Sequence, residues 1–386
     1  MSTPHHLHLA AALDGAGWHP AARHQPEADP RPFTLGHWAA QARQAEAGLL
    51  DFVTVEDPLS RAPGPGEELD RRLGHTLHRL DALTLAGALA ARTRHLGIIP
   101  TVVVNSGQPA PIAKAVATLD HLSAGRAGLR TQLSPTRPIP LETLFLPEVQ
   151  AQIQQSFDRA AELVRVVRAL WDGTTDEQAL RALAPGRFAA DSDGDGGDTG
   201  DGGDPGEWPL LPDPSTAPRP PQGHPVVFTL AHISVPWRYG AQVTDVVSIT
   251  PHGVDDVRAA VAEIRAEQQA AGRAGRTVHV FADVLVHLDA EPGAAKARRD
   301  RLDATLGTEH TSDAPIFAGT PAELADLLQE WQQAGLTGYR LRPATTAHDL
   351  PAIATGLVPE LQRRGAYRTD YAEETLRERL DLGTAP

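Results

Sequence analysis

Short apolar, β-branched runs alternate with longer amphipathic stretches along nearly all of this 386-residue chain. No other feature constrains the fold as much. These short runs predict strands at His6–Leu13, Asp51–Glu56, Leu96–Val104, Ala127–Ser134, Pro225–Leu230, Asp245–Thr250, Val278–Leu288 and Gly338–Leu341. Helical spacing is read at Trp38–Ala47, Leu77–Arg94, Ile112–Leu122, Gln150–Trp171, Val254–Ala271, Pro321–Ala334 and Leu350–Arg364. Strand followed by helix, repeated about eight times, is the pattern of a parallel α/β fold, and eight units in a chain of this length favour a closed (β/α)8 TIM barrel with loop insertions over an open sheet. The expected organisation is one barrel domain over residues 1–386.

One segment, 190–206, breaks the rhythm. It reads ADSDGDGGDTGDGGDPG and carries six aspartates between Asp191 and Asp204. Asp191, Asp193, Asp195 and Gly196 match the opening of a calcium loop, but the twelfth position is Gly202, where a bidentate glutamate is required. No metal site is predicted there. Gly and Asp at this density cannot bury apolar surface, so the segment reads as a flexible insertion.

The formal charge is 35 − 49 = −14. Such a chain should repel nucleic acid and anionic membranes. Cysteine is absent, which excludes disulfides, thiolate catalysis and iron–sulfur ligation. The opening MSTPHHLHLAAAL has no basic region ahead of its short apolar run, so it does not read as a signal peptide. No window approaches the roughly 20 apolar residues needed to span a bilayer. A cytoplasmic protein is expected.

In such barrels function gathers at the C-terminal ends of the strands. Candidates there are His19 after strand one, Glu56 and Asp57 after strand two, Asn105 after strand three, and His232 and Ser234 after strand five. On strand four Arg130, Gln132 and Ser134 alternate and so share a face. A buried guanidinium needs a counter-charge, so Arg130 requires a carboxylate, a phosphate or a ligand, and Glu56 or Asp57 could be its internal partner. Asp57 could equally cap the next helix. Ser234 before Val235-Pro236 reads as a helix N-cap, either a plain cap or an anion site. His19 and His232 stand out by position alone, and a structural role competes with a catalytic one for each.

Several stretches resemble the bacterial-luciferase-like flavin monooxygenases, in the nitrilotriacetate and desulfurization branch. These are LDHLSAGRAGLRTQLS (Leu119–Ser134), the opening LAAALDGAGWHPAA, FDRAAELVRVVRALWDG, FAGTPAELADLLQEWQQAGLTGYRLRP and the tail LVPELQRRGAYRTDYAEETLRERLDL (Leu357–Leu382). The resemblance implies a barrel that takes reduced FMN from a separate flavin reductase and oxygenates a small organic substrate, as a dimer or tetramer. The family positions that contact flavin fall here on Asp57, Thr101, Val104, Arg130, Gln132, Ile153, Phe157 and Ser234. Asp57 and Thr101 keep the family residue, and Ser234 does so if one residue is deleted before Asp245; without that deletion Ile233 takes its place. Elsewhere Val104 stands for a threonine, Leu129-Arg130 for a Trp-Asn pair, and Ile153 and Phe157 for a histidine and a tyrosine, so hydrogen-bonding groups are lost while a fixed positive charge is gained. Within that activity His19 or His232 is expected as hydrogen-bond donor or proton carrier, and Arg130, which departs from the family residue, as electrostatic clamp. Two alternatives stay open: a related barrel that uses a deazaflavin coenzyme for hydride transfer, and a ligand-binding barrel without catalysis.

Overall fold

The computed structural model describes residues 6–57, 79–105, 107–133, 143, 146–185, 187, 188, 208 and 217–383. The segment 190–206 and Ser134 lie outside the described residues. Among the described residues there are nine strands: β1 His8–Leu13, β2 Phe52–Val55, β3 Gly97–Val103, β4 Gly128–Gln132, β5 Val226–Leu230, β6 Val246–Ile249, β7 His279–Leu288, β8 Ile316–Gly319 and β9 Gly338–Pro343. All pairings are parallel, and the β6–β7 and β9–β1 pairings close eight strands into a ring. This is the expected (β/α)8 barrel. The ninth strand, β8, was not anticipated. Its register explains it: β6 covers only His279–Ala282 of the ten-residue β7, and β8 takes Leu285–Leu288 farther along. Residues 285 and 286 also pair with β9, so β8 extends the edge that β6 leaves.

The inward faces explain the sequence pattern. Ala10, Phe52, Ile99, Val226, Phe228, Val246 and Phe281 form an apolar floor, sealed from below by Leu376, Leu380 and Leu382 of the tail. Gly338 is part of this floor, because a Cβ there would come 2.5 Å from the Phe281 ring. The tail reaches its place through a capping box in which Thr375 and Glu378 satisfy each other's backbone amides. Arg379 then donates to the carbonyls of Asp51 and His95 at 3.0 and 2.8 Å. The recurrent tail sequence is therefore a plug for the N-terminal end of the barrel. A second capping box, Thr320 with Glu323, starts the helix Pro321–Gln333.

Outside the ring, β3, β4 and β5 pack against the helices Pro109–Ser123, Pro147–Trp171 and Ser234–Val243 through a cluster that includes Val104, Leu129, Leu163, Trp171 and Tyr239. Among the described residues no helix is long and apolar enough to cross a membrane.

Candidate functional site

Above the apolar floor the barrel interior turns ionic. Period-two alternation brings Thr54 and Glu56 inward from the β2 end, Thr101 from β3, Arg130 and Gln132 from β4, Ser248 from β6, Asp283 from β7, and Arg340 and Arg342 from β9. Arg130 lies 3.2 Å from Glu56 Oε2, and its Nη1 also donates to Thr101 Oγ1 at 3.1 Å and Gln132 Oε1 at 2.9 Å. Of the two carboxylates expected as its partner, Glu56 takes the role. Arg340, fully buried, donates through Nη1 to Glu56 at 2.7 Å and through Nε to Asp283 at 2.9 Å. Arg342 reaches Asp283 at 2.6 Å and Asp313 at 2.7 Å, and its guanidinium stacks 4.4 Å from the Trp18 ring.

Three guanidiniums thus face Glu56, Asp283 and Asp313, a neutral set. A buried ion pair survives desolvation only when its hydrogen bonds are well satisfied. Burial works to raise the Glu56 and Asp283 carboxyls. For Glu56 the guanidiniums of Arg130 and Arg340 outweigh it, for Asp283 those of Arg340 and Arg342, and both carboxyls lie below the usual range. Burial lowers Arg130 despite Glu56. One donor stays over: Arg130 Nε is buried and has no hydrogen-bond partner.

His232 stands exposed at the mouth, its Nδ1 2.9 Å from Thr250 Oγ1 and its Nε2 3.8 Å from Asp313. Partial desolvation lowers its pKa against the pull of Asp313, helped by nearby Arg342. The helix after β5 begins at Ser234, and Ile233 occupies the cap position with no side-chain cap bond. Ser234 is therefore the first helical residue, one position past the expected N-cap. The amides of Ser234 and Val235 precede the first intrahelical bond, in which Trp237 N donates to Ile233 O at 3.0 Å, while Pro236 has no N–H. Two amides and one exposed hydroxyl make up this helix end, the kind of group that suits an anion.

The remaining candidates scatter. Asp57 Oδ2 accepts from Ala82 N at 3.0 Å, at the start of a helix whose cap is Asp81. Burial, with Asp81 nearby, raises the Asp57 carboxyl. Thr101 donates to Val55 O at 2.8 Å. Val104 is buried among the helices, Ile153 is half-buried, and Phe157 packs 5.6 Å from the Tyr239 ring. His19 is buried with both ring nitrogens engaged: Nδ1 accepts from Ala21 N at 3.1 Å, and Nε2 lies 3.0 Å from Asp303. Burial lowers its pKa despite Asp303. The preceding turn requires Gly17, whose φ is 139° and where a Cβ would come 2.3 Å from Ala344 O. Among the described residues no group of three or more His, Cys, Asp or Glu side chains is arranged to hold a metal ion.

Sequence reasoning missed Arg340, Arg342, Asp283 and Asp313. The first two were findable, because Arg-x-Arg in an apolar strand obeys the same alternation that exposed Arg130.

The family profile described as "Luciferase-like monooxygenase" matches residues 16–311. The chain is 24% identical to nitrilotriacetate monooxygenase component A of Aminobacter aminovorans, over 99% of this chain and 98% of that protein. It is also 24% identical to dibenzothiophene-sulfone monooxygenase of Rhodococcus erythropolis (strain XP), over 99% and 98%. The solved structure of a long-chain alkane monooxygenase superposes with a TM-score of 0.77 at 20% identity, covering 99% of this chain and 96% of that one.

Proposed function

Because the chain belongs to the luciferase-like monooxygenase family, we propose that it is the oxygenase component of a two-component system, taking reduced FMN from a separate flavin reductase and oxygenating a small organic substrate. A relative bearing the name "component A" supports the division of labour. The structural observation that carries the cofactor reading is the unpartnered, buried Nε–H of Arg130 at the C-terminal mouth of the barrel.

The residues present fit FMN at two points. The start of the Ser234 helix offers two amides and a hydroxyl to a phosphate. Arg130 Nε–H fits an acceptor on the ring edge and holds it in a fixed orientation. Thr101 and Gln132 set the Arg130 rotamer through their oxygens. Where the family places hydrogen bonds, Ile153 and Phe157 are partly buried apolar side chains, Val104 is buried in the layer outside the ring, and Asp57 stays engaged with the Ala82 amide. When bound, reduced FMN supplies the two electrons with which dioxygen is divided, one oxygen atom going to the substrate and the other to water.

The chain's own part is to bind, orient and keep the pocket dry. We assign His232 as proton carrier: Thr250 fixes its Nδ1, and Nε2 faces the mouth near Asp313. His19, with both nitrogens bonded inside the protein, holds the β1 turn against the helix Ala294–Leu306. The test is turnover under 18O2 with an added flavin reductase and a panel of small sulfur and amine compounds. Label in one product supports the reading. Substrate oxidation without label, or with oxygen excluded, contradicts it.

A further inference from the structure

The turn after β1 has two faces. On one, Trp18 stacks on Arg342 at the barrel mouth. On the other, Ala16 lines a cavity of about 500 Å³ bounded by residues 27–41 and by the helix that starts at Thr346. Ala16 O accepts the Thr346 amide at 2.8 Å, which ties the two walls together. Gln41 and Thr346 line this cavity and are only 8% and 4% exposed. Gln41 Oε1 and Thr346 Oγ1 are both buried without a hydrogen-bond partner. The Gln41 orientation is fixed, because its Nε2 donates to Gly15 O at 3.0 Å and to His37 Nε2 at 2.7 Å.

A buried polar group left unpaired destabilises the fold. Two on one cavity wall point to a donor that the protein itself does not supply. The rest of the polar lining is Glu27, Asp29, Arg31 and His37. The Arg31 guanidinium is largely solvent-exposed and lies 3.5 Å from Asp29, and His37 Nδ1 lies 3.5 Å from the other Asp29 oxygen. The Arg31 amide, bonded to Asp29 at 2.9 Å, keeps that carboxyl ionised. The wall is therefore rich in acceptors and net negative.

We propose that this cavity is a binding site, separate from the flavin site, for a protonated aliphatic amine. The ammonium donates to Gln41 Oε1 and Thr346 Oγ1 and faces the Glu27 and Asp29 carboxylates. The volume accommodates an alkyl chain beside the apolar surfaces of Ala40 and Ala347.

The test is a ligand-detected NMR titration of the full chain at fixed ionic strength, with n-butylammonium, n-butanol and butyrate as probes. Butylammonium should saturate, butanol should bind about tenfold more weakly for want of charge, and butyrate should not bind. Thr346→Val should weaken butylammonium about fivefold without lowering the melting temperature, because that hydroxyl makes no internal bond. Ala347→Phe, at an exposed position on the rim, should abolish binding. No saturation by butylammonium would mean that the cavity holds water only. Equal binding to the wild type and both variants would mean non-specific attraction to an acidic surface. Either result overturns the proposal.

Discussion

Arg130 is ion-paired with Glu56 at 3.2 Å inside the barrel. The charge that strand four carries into the interior is thus balanced by a carboxylate of the protein, and the Arg130 Nε–H is buried without a hydrogen-bond partner. The arginine is therefore not a free cation.

Arg130→Met should leave the fold intact, because Glu56 keeps its 2.7 Å bond to Arg340. Reduced-FMN affinity should fall about tenfold, the worth of one hydrogen bond to a charged group. Fluorescence titration of the variant checks this, and unchanged affinity would remove Arg130 from the site.

Asp283 holds two arginines at once. Asp283→Asn leaves Arg340 and Arg342 without their shared carboxylate, so unfolding in urea should show a loss of about 3–5 kcal/mol. A loss below about 1 kcal/mol would mean that the network relaxes around the change and does not hold the barrel.

Ser234→Pro separates phosphate binding from folding. Proline is favoured at the first helical position, and Ile233 before it is already extended at φ −145° and ψ 177°. The variant should melt no lower than the wild type, yet lose both the Ser234 amide and its hydroxyl. Its affinity for reduced FMN should drop toward that for reduced riboflavin. If FMN and riboflavin keep their wild-type ratio, the phosphate sits elsewhere.

His279 lies in the floor, with Nε2 2.6 Å from Leu380 O in the plug. Burial, with His8 close by, pushes its pKa down to about 4. The unfolded chain takes up that proton near the ordinary imidazole value of about 6.5. A depressed folded pKa means full stability above pH 6.5, lost as pH falls toward 4, by up to about 3 kcal/mol. Melting temperatures between pH 7 and 4 should fall less steeply for His279→Gln than for the wild type. Parallel curves would contradict the assignment.

The barrel was legible because its strands are short apolar runs and its helices amphipathic, two patterns that a single sequence displays. The need of Arg130 for an internal carboxylate was also legible, since an inward guanidinium cannot stand alone. Arg342 was not found, because Gly338–Leu341 was read as the last strand and β9 runs on to Pro343. Asp313 could not be found. It lies in a connection with no periodicity, and only the closed ring brings it to Arg342. Ser234 shows a third limit: Ser before Val-Pro marks a helix start, but one position decides whether the hydroxyl caps the helix or faces outward.

The most direct measurement is a titration of the purified chain with oxidised FMN, reduced FMN and the deazaflavin coenzyme in parallel. The account predicts saturable binding of reduced FMN, tighter than for the oxidised form and for the deazaflavin. Preferential deazaflavin binding, or no binding of any of the three, would contradict it.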